Sequence, residues 1–398
     1  SLSHMPSPAT LDVRAGDLVA VTLPPGPDWA GIVGKVWDAG AALFPVDHRL
    51  PQSLARDLMD RAVPTIVLDA EGWHRPGSGG PMPDGVALVV HTSGTGGVPK
   101  LVQFDRPAID AAVASSTLAL EASPHDRWLC CLPLAHVGGL LVLLRSILVG
   151  APVTVHPRFD PEAVAAEADS AFVSLVPTML GRLLDADADL SHFRAILVGG
   201  AAVPAWLADR ARAEGANVIE TYGLTESCGG VVYDGRPLPG TEVRIDGEGG
   251  IQLRGPTVMR GYLDDAEATA RAFTDGGWLR AGDAGWIDGQ GRLRVAGRLD
   301  DLINTGGEKV WPAEVEAILQ GHPGVAEVAI IGRPDPEWGQ RVVAFVVPVD
   351  PTAPPSLEAL RDHVALSLPR HSAPRQLVLV PEGLPRTASG KVRRAALA

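Results

Sequence analysis

Lysine is almost missing from this chain. Four lysines occur in 398 residues, so thirty of the 34 basic side chains are arginine. Cysteine is scarce as well: Cys130, Cys131 and Cys228 are the whole set. Three thiols exclude a disulfide framework, and the adjacent pair inside the apolar run RWLCCLPL reads as small buried hydrophobes rather than metal ligands. A reducing cytoplasm is the compartment this implies. No apolar run has the length of about 20 residues that a membrane-spanning helix needs, and no leader pattern opens the chain. Ser1–Met5 (SLSHM) reads as an expression scar. The formal net charge of −13 argues against an extended nucleic-acid or anionic-membrane surface, though not against a local anion site.

What is present is concentrated around the few lysines. Lys100 ends HTSGTGGVPK, Lys309 lies in NTGGEKVWP and Lys391 in PRTASGKVRR. Lys35 has no such setting and reads as background. Lysine offers a compact point charge where arginine offers a planar fork. Glycine beside such a cation points to backbone amides closing on an anion, most often a phosphate.

The first half of the chain alternates short apolar runs with alanine-rich stretches. Val86–Thr92, Trp128–Leu134, Val153–His156, Phe172–Val176, Ala195–Val198 and Val218–Thr221 are expected strands. Ala108–Leu120, Pro161–Ala168 and Ala205–Ala213 are expected helices, the second with Asp160 as N-cap and proline at the first helical position. The fold class is therefore α/β, with a large N-terminal domain of mostly parallel, buried strands. Ser78–Asp84 (SGGPMPD) reads as a mobile loop. After Gly229 the chain becomes glycine-rich and alternating, with strands expected at Glu242–Asp246, Ile251–Arg254 and Arg292–Val295, a small antiparallel β subdomain. A compact α+β unit follows: helices Pro312–Leu319 and Leu357–Leu366, and strands Val325–Gly332, Val342–Pro348 and Gln376–Val380. The expected division is residues 1–299 and 300–398, with the joint at Asp300–Asp301.

His91–Lys100 follows a buried strand. Thr92, Ser93, Gly94, Thr95, Gly96 and Gly97 offer hydroxyls and unobstructed amides able to wrap a polyphosphate, with Lys100 near its outer end. The spacing is not that of G-x-x-x-x-G-K-[ST], because Pro99 stands where the glycine would be and Leu101 where the hydroxyl would be.

From this loop onward the chain resembles the adenylate-forming superfamily of acyl-CoA synthetases and peptide-synthetase adenylation domains. Thr92–Lys100 is similar to that family's TSGTTGxPKG, except that Gly96 replaces the second threonine and Leu101 the closing glycine. The resemblance continues in order. Leu132–Gly138 (LPLAHVG) is similar to LPxxHxxG, where His136 is either a substrate contact or a packed structural histidine. Gly199, Gly200 and Ala201 (in GGAA) resemble the loop over one face of adenine. Thr221–Glu226 (TYGLTE) resembles the YGxTE core. There the resemblance assigns Tyr222 to stacking on the base, Thr225 to the α-phosphate and Glu226 to Mg²⁺. An aromatic face suits a flat base, and a hard cation suits carboxylate and phosphate oxygens. Gly255–Tyr262 (GPTVMRGY) and Trp278–Asp283 (WLRAGD) extend the match, with Asp283 on the ribose. In Gly297–Glu316, the resemblance gives Arg298 to ribose or phosphate, Asp300 to the hinge, and Gly306 and Gly307 to the passage of a pantetheine arm. Lys309 lies beside that passage. Pro385–Lys391 resembles the C-terminal catalytic motif, in which Lys391 bridges the substrate carboxylate and the α-phosphate.

The resemblance implies an acid–thiol ligase using ATP, Mg²⁺ and coenzyme A. A carboxylate attacks the ATP α-phosphate, pyrophosphate leaves, and a thiol then displaces AMP from the acyl-adenylate. Within the superfamily the run TYGLTESCGGVVYDGRPLPGTEVRI and the early phosphate loop are most similar to short o-succinylbenzoate–CoA ligases of menaquinone synthesis. The acceptor is expected to be coenzyme A or the phosphopantetheine thiol of a carrier protein. The loop departures at Gly96 and Leu101 keep open a homologue that binds without adenylating.

Overall fold

The computed structural model describes residues 12–77, 79–92, 99–386 and 392–397. The chain divides into two compact units. Residues 1–203, 207–243 and 253–279 form the first, and residues 204–206, 244–252 and 280–398 the second. Among the described residues no helix is long and apolar enough to cross a membrane.

The first unit is built on two seven-stranded sheets. One runs in the order Gly261–Tyr262, Leu101–Asp105, Val86–His91, Ala42–Pro45, Leu18–Val21, Ile66–Asp69, Gly72–His74. The other runs Arg236–Pro237, Gly229–Tyr233, Val218–Leu224, Ala195–Val198, Phe172–Leu175, Trp128–Cys130, Val153–Val155. The central pairings of both are parallel, and antiparallel strands lie towards the ends. The central strands of the first sheet, Val86–His91, Ala42–Pro45 and Leu18–Val21, are buried along their whole length. That is why they read as unbroken apolar runs instead of alternating ones.

Several expected elements take different bounds. The strand expected at Val218–Thr221 continues to Leu224 and turns back antiparallel through Gly229–Tyr233. Asp160 does cap a proline-led helix, accepting from the Ala163 amide at 3.1 Å, but the helix ends at Ala165. Residues beyond it turn so that the Ala171 amide can reach the Arg127 carbonyl and start the next strand. The expected loop at 78–84 is packed down over its described part. A side chain at Gly79 would fall 2.7 Å from the Thr65 backbone nitrogen, and Met82 enters the core of the first sheet.

A helix at Val137–Leu148 was hidden by its glycine pair, yet it is central to the unit. A Cβ at Gly139 would meet the Pro133 carbonyl oxygen at 2.5 Å, so the close approach of LPL to this helix requires glycine. On the same helix Arg145 is buried. Its guanidinium stacks 3.9 Å over Trp128 and donates to Ser116 Oγ at 2.7 Å, and Ser116 also bonds the Tyr233 hydroxyl at 2.8 Å. Burial pushes its pKa down to about 10, which still leaves it charged at neutral pH.

In the second unit, residues 280–287 pair antiparallel with Leu293–Arg298, and residues 244–245 and 250–252 belong to the same four-stranded sheet. A five-stranded sheet follows, centred on the hairpin of Val325–Asp335 and Gly339–Pro348. Alternation along this hairpin splits its side chains between two cores. Ile330, Val342, Ala344 and Val346 pack under helices Pro312–Leu319 and Leu357–Ala365. Ala329, Ile331, Val343 and Phe345 pack with Leu384 and Leu397 on the other face.

Candidate active site

In the first unit, the neck of the phosphate-loop candidate is closed by two bonds. The Thr92 amide donates to the Lys100 carbonyl at 2.8 Å, and the Lys100 amide donates to Thr92 Oγ1 at 3.2 Å. Ser93, Gly94, Thr95 and Gly96 lie outside the described residues. Beyond the neck, strand Leu101–Asp105 pairs with Val86–His91 on one side and with Gly261–Tyr262 on the other. That second pairing brings Tyr262 next to Val102, and the Lys100 ammonium lies 4.5 Å from the centre of the Tyr262 ring.

The second sheet supplies the TYGLTE residues. A bulge at Tyr222–Gly223 shifts the hairpin register, and a side chain at Gly223 would collide with the Gly229 carbonyl oxygen. Thr225–Ser227 then form a 3₁₀ turn. Ser227 Oγ accepts from the Leu224 amide at 2.9 Å, and Cys228 takes a left-handed φ of 56° to leave the turn. The Met259 amide fixes the Glu226 backbone carbonyl at 2.8 Å, while the Tyr262 hydroxyl donates to Glu226 Oε1 at 2.9 Å. Gly199 sits against Thr221: a Cβ there would lie 2.1 Å from Thr221 Oγ1, whose hydroxyl donates to the Val198 carbonyl at 3.3 Å. Gly200 follows with φ of 77°, and Ala201 is exposed.

His136 occupies the N-cap position of helix Val137–Leu148. Its ring meets that of His91, the last residue of the strand before the loop, edge to face at 5.3 Å. Burial lowers the His91 pKa, and its Nε2 has no hydrogen-bond partner among the described residues. Asp47 belongs to the same neighbourhood. Burial would raise its pKa, but the Arg49 side chain and amide both bond it, and with the field of His136 they hold it at about 2.

In the second unit, Asp283 and Arg298 are direct cross-strand neighbours. Arg298 Nη1 donates at 3.2 Å to both Asp283 Oδ1 and the Ala281 carbonyl. Asp300 lies in a 3₁₀ turn over Leu299–Asp301. Gly306 and Gly307, with φ of 63° and 85°, turn the chain between Ile303–Thr305 and Glu308–Val310. The Gly306 amide donates to the Trp338 carbonyl at 2.8 Å, and Arg375 stacks 3.9 Å over the Trp338 ring. Lys309 is exposed on the outgoing strand, opposite Asn304. Lys391 lies outside the described residues, and the flanking Arg386 and Val392 pair in an antiparallel bridge.

The structure thus joins Lys100 and Glu226 through Tyr262, and His136 with His91 and Asp47. Tyr262, His91, Asp47, Trp338 and Arg375 carry no role in the sequence reading. Tyr262 did have a signal there, as the last residue of GPTVMRGY. Among the described residues no three His, Cys, Asp or Glu side chains gather as a metal cage. A lone carboxylate at Glu226 suits Mg²⁺ arriving on a polyphosphate, since this ion keeps waters and takes one or two protein carboxylates with substrate oxygens.

Two family models match the chain: the AMP-binding enzyme over residues 69–263, and the AMP-binding enzyme C-terminal domain over residues 314–391. A relative from Mycobacterium tuberculosis, a probable 2-succinylbenzoate–CoA ligase, is 40% identical over 355 residues, covering 84% of this chain and 89% of that one. The 2-succinylbenzoate–CoA ligase of Bacillus velezensis is 37% identical over 336 residues, covering 78% and 68%. Among solved structures, the Bacillus subtilis o-succinylbenzoate CoA synthetase in complex with its acyl-adenylate intermediate superposes with a TM-score of 0.87 at 30% identity, covering 97% of this chain and 88% of that one. ATP-bound MatB from Rhodopseudomonas palustris gives 0.85 at 26% identity, with the same coverage.

Proposed function

The chain belongs to the AMP-binding enzymes of the adenylate-forming superfamily, and from that premise we propose that it ligates 2-succinylbenzoate to coenzyme A through an acyl-adenylate. The observation that carries the reading is the Lys100–Tyr262–Glu226 arrangement. It draws the end of the phosphate loop and the TYGLTE turn, from two different sheets, into one charged patch.

A carboxylate is a poor acyl donor because oxide would have to leave. Its attack on the ATP α-phosphorus expels pyrophosphate and makes AMP the leaving group. A thiolate then attacks the acyl carbon, and the thioester and AMP are released. The barrier to the first step is largely the approach of two anions, so fixed cations and positioned donors are what the protein must supply. Lys100 serves the outer phosphates and Thr225 the α-phosphate. Mg²⁺, when bound through Glu226, supplies charge neutralisation at the phosphate oxygens. Tyr222, with Gly199, Gly200 and Ala201, takes the adenine, and Asp283 with Arg298 the ribose. Lys391 serves adenylation. The Gly306–Gly307 turn serves the pantetheine arm, with Trp338 and Arg375 as its flat and cationic flank. Asp300 is the pivot that changes one task for the other. His136, backed by His91, faces the acyl group. Three buried free thiols suit a reducing cytoplasm as the location.

Acid-dependent ATP–pyrophosphate exchange across a panel of aromatic and aliphatic acids tests the reading. Exchange with 2-succinylbenzoate, followed by a coenzyme A thioester on adding the thiol, is the expected result. No exchange with any acid overturns it. Exchange followed by transfer only to a holo carrier protein corrects the acceptor.

A further inference from the structure

We propose that Tyr262 is a positioning residue for adenylation, setting the carboxylate of Glu226 with its hydroxyl and the ammonium of Lys100 with its ring. The inference rests on the function proposed above, and concerns a residue that this reading leaves without a task.

The geometry gives one side chain two different jobs. Its hydroxyl donates to Glu226 Oε1 at 2.9 Å across 36 positions of sequence. A carboxylate held by one oxygen presents the other in a fixed direction, which is how outer partners orient a metal-binding carboxylate. The ring face lies 4.5 Å below the Lys100 ammonium and stabilises it by cation–π attraction, without neutralising its charge as a carboxylate partner would.

Tyr262 is itself firmly set. Its backbone pairs with Val102, two residues beyond Lys100, and its amide donates to Thr269 Oγ1 at 2.9 Å. Thr269 in turn bonds the Asp265 carbonyl at 2.8 Å, at the start of helix Ala266–Ala272. Gly261 must be glycine, with φ of 155° and a Cβ that would fall 2.8 Å from Thr269 Cγ2. The side chain is nearly buried, at 8% exposure, so the ring has little freedom to leave either partner.

Two substitutions separate the two jobs. Tyr262→Phe keeps the ring and removes the hydroxyl; Tyr262→Leu removes both. The readout is the calorimetric affinity for ATP, measured once in excess Mg²⁺ and once in EDTA, with thermal unfolding as the check on folding. Tyr262→Phe is expected to weaken ATP binding about tenfold in Mg²⁺ and to leave it unchanged in EDTA. Tyr262→Leu is expected to weaken binding in both. In a Glu226→Ala background, Tyr262→Phe should have no further effect. Equal affinities for wild type and Tyr262→Phe in Mg²⁺, or an equal loss with and without the metal, would overturn the inference. Failure of the functional reading shows itself separately, as wild-type protein that supports no acid-dependent exchange.

Discussion

The imidazole of His91 meets that of His136 edge to face, with ring centroids 5.3 Å apart. One ring belongs to the last residue of the strand Val86–His91 and the other to the N-cap residue of the helix after LPLA. Burial depresses the His91 pKa from its ordinary 6.5, and the neighbouring Asp47 only partly opposes this. In the pH window below 6.5 the unfolded chain takes up a proton that the folded chain resists. Stability contributed by neutral His91 is therefore present at neutral pH and is lost as pH falls through 6.5 towards the lower folded value. Wild-type melting temperature should drop between pH 7 and 5, and His91→Phe should drop less over the same range. Parallel melting curves for the two proteins would show that His91 does not titrate as its burial requires.

Gly306 carries a second prediction. Its φ of 63° is left-handed, and a Cβ would lie 2.7 Å from the Trp338 ring. Any side chain therefore costs about 1 to 2 kcal/mol in backbone strain and must also displace the indole. Gly306→Val should slow thioester formation from supplied acyl-adenylate by at least about tenfold, while ATP–pyrophosphate exchange stays near wild type. Trp338→Ala removes the steric conflict but also the flat face, and should raise the KM for coenzyme A. If Gly306→Val impairs exchange as strongly as thioester formation, the turn is not reserved for the thiol.

Residue types and spacing alone reached the α/β class and the buried strand before the loop to Lys100, while the resemblance singled out the TYGLTE turn. Each is a local pattern whose cause is local: a buried strand reads as an apolar run, and a tight turn reads as glycine. What stayed hidden depends on distant partners. Helix Val137–Leu148 begins with a glycine pair, and the second of the two, Gly139, is explained by the approach of the Leu132 and Pro133 carbonyls. Tyr262 gains its meaning from Lys100 and Glu226, which adjoin strands of different sheets. His91 reads only as part of the strand expected at Val86–Thr92, and the fold sets the His136 ring beside it. Trp338 is 32 positions from the glycine it covers, and no periodicity links them.

The cysteines should be chemically silent. Burial pushes the thiols of Cys130, Cys131 and Cys228 up to about 12, so almost none is thiolate at pH 8. Only the thiolate is an effective nucleophile. Iodoacetamide at pH 8 should leave the folded protein unlabelled and its activity unchanged, and label all three cysteines in urea. Rapid modification of native protein, read by intact mass, would show that at least one thiol is accessible.

Lys391 gives the sharpest test of the division of labour. Its proposed task is to offset negative charge where the carboxylate meets the α-phosphate, and that charge is a problem of the first half-reaction alone. Once the acyl-adenylate exists, the thiol attacks a neutral acyl carbon and a cation at the former α-phosphate site gains little. Lys391→Ala should therefore cut acid-dependent exchange by about 10² to 10³ while sparing thioester formation from supplied acyl-adenylate. Lys391→Arg should recover only part of the exchange, because a planar fork does not replace a point charge of that size. Measuring both half-reactions on one preparation removes folding as an explanation, since a misfolded protein would lose both. Equal loss of the two would mean that Lys391 acts on the structure of the second unit and not on the adenylation step.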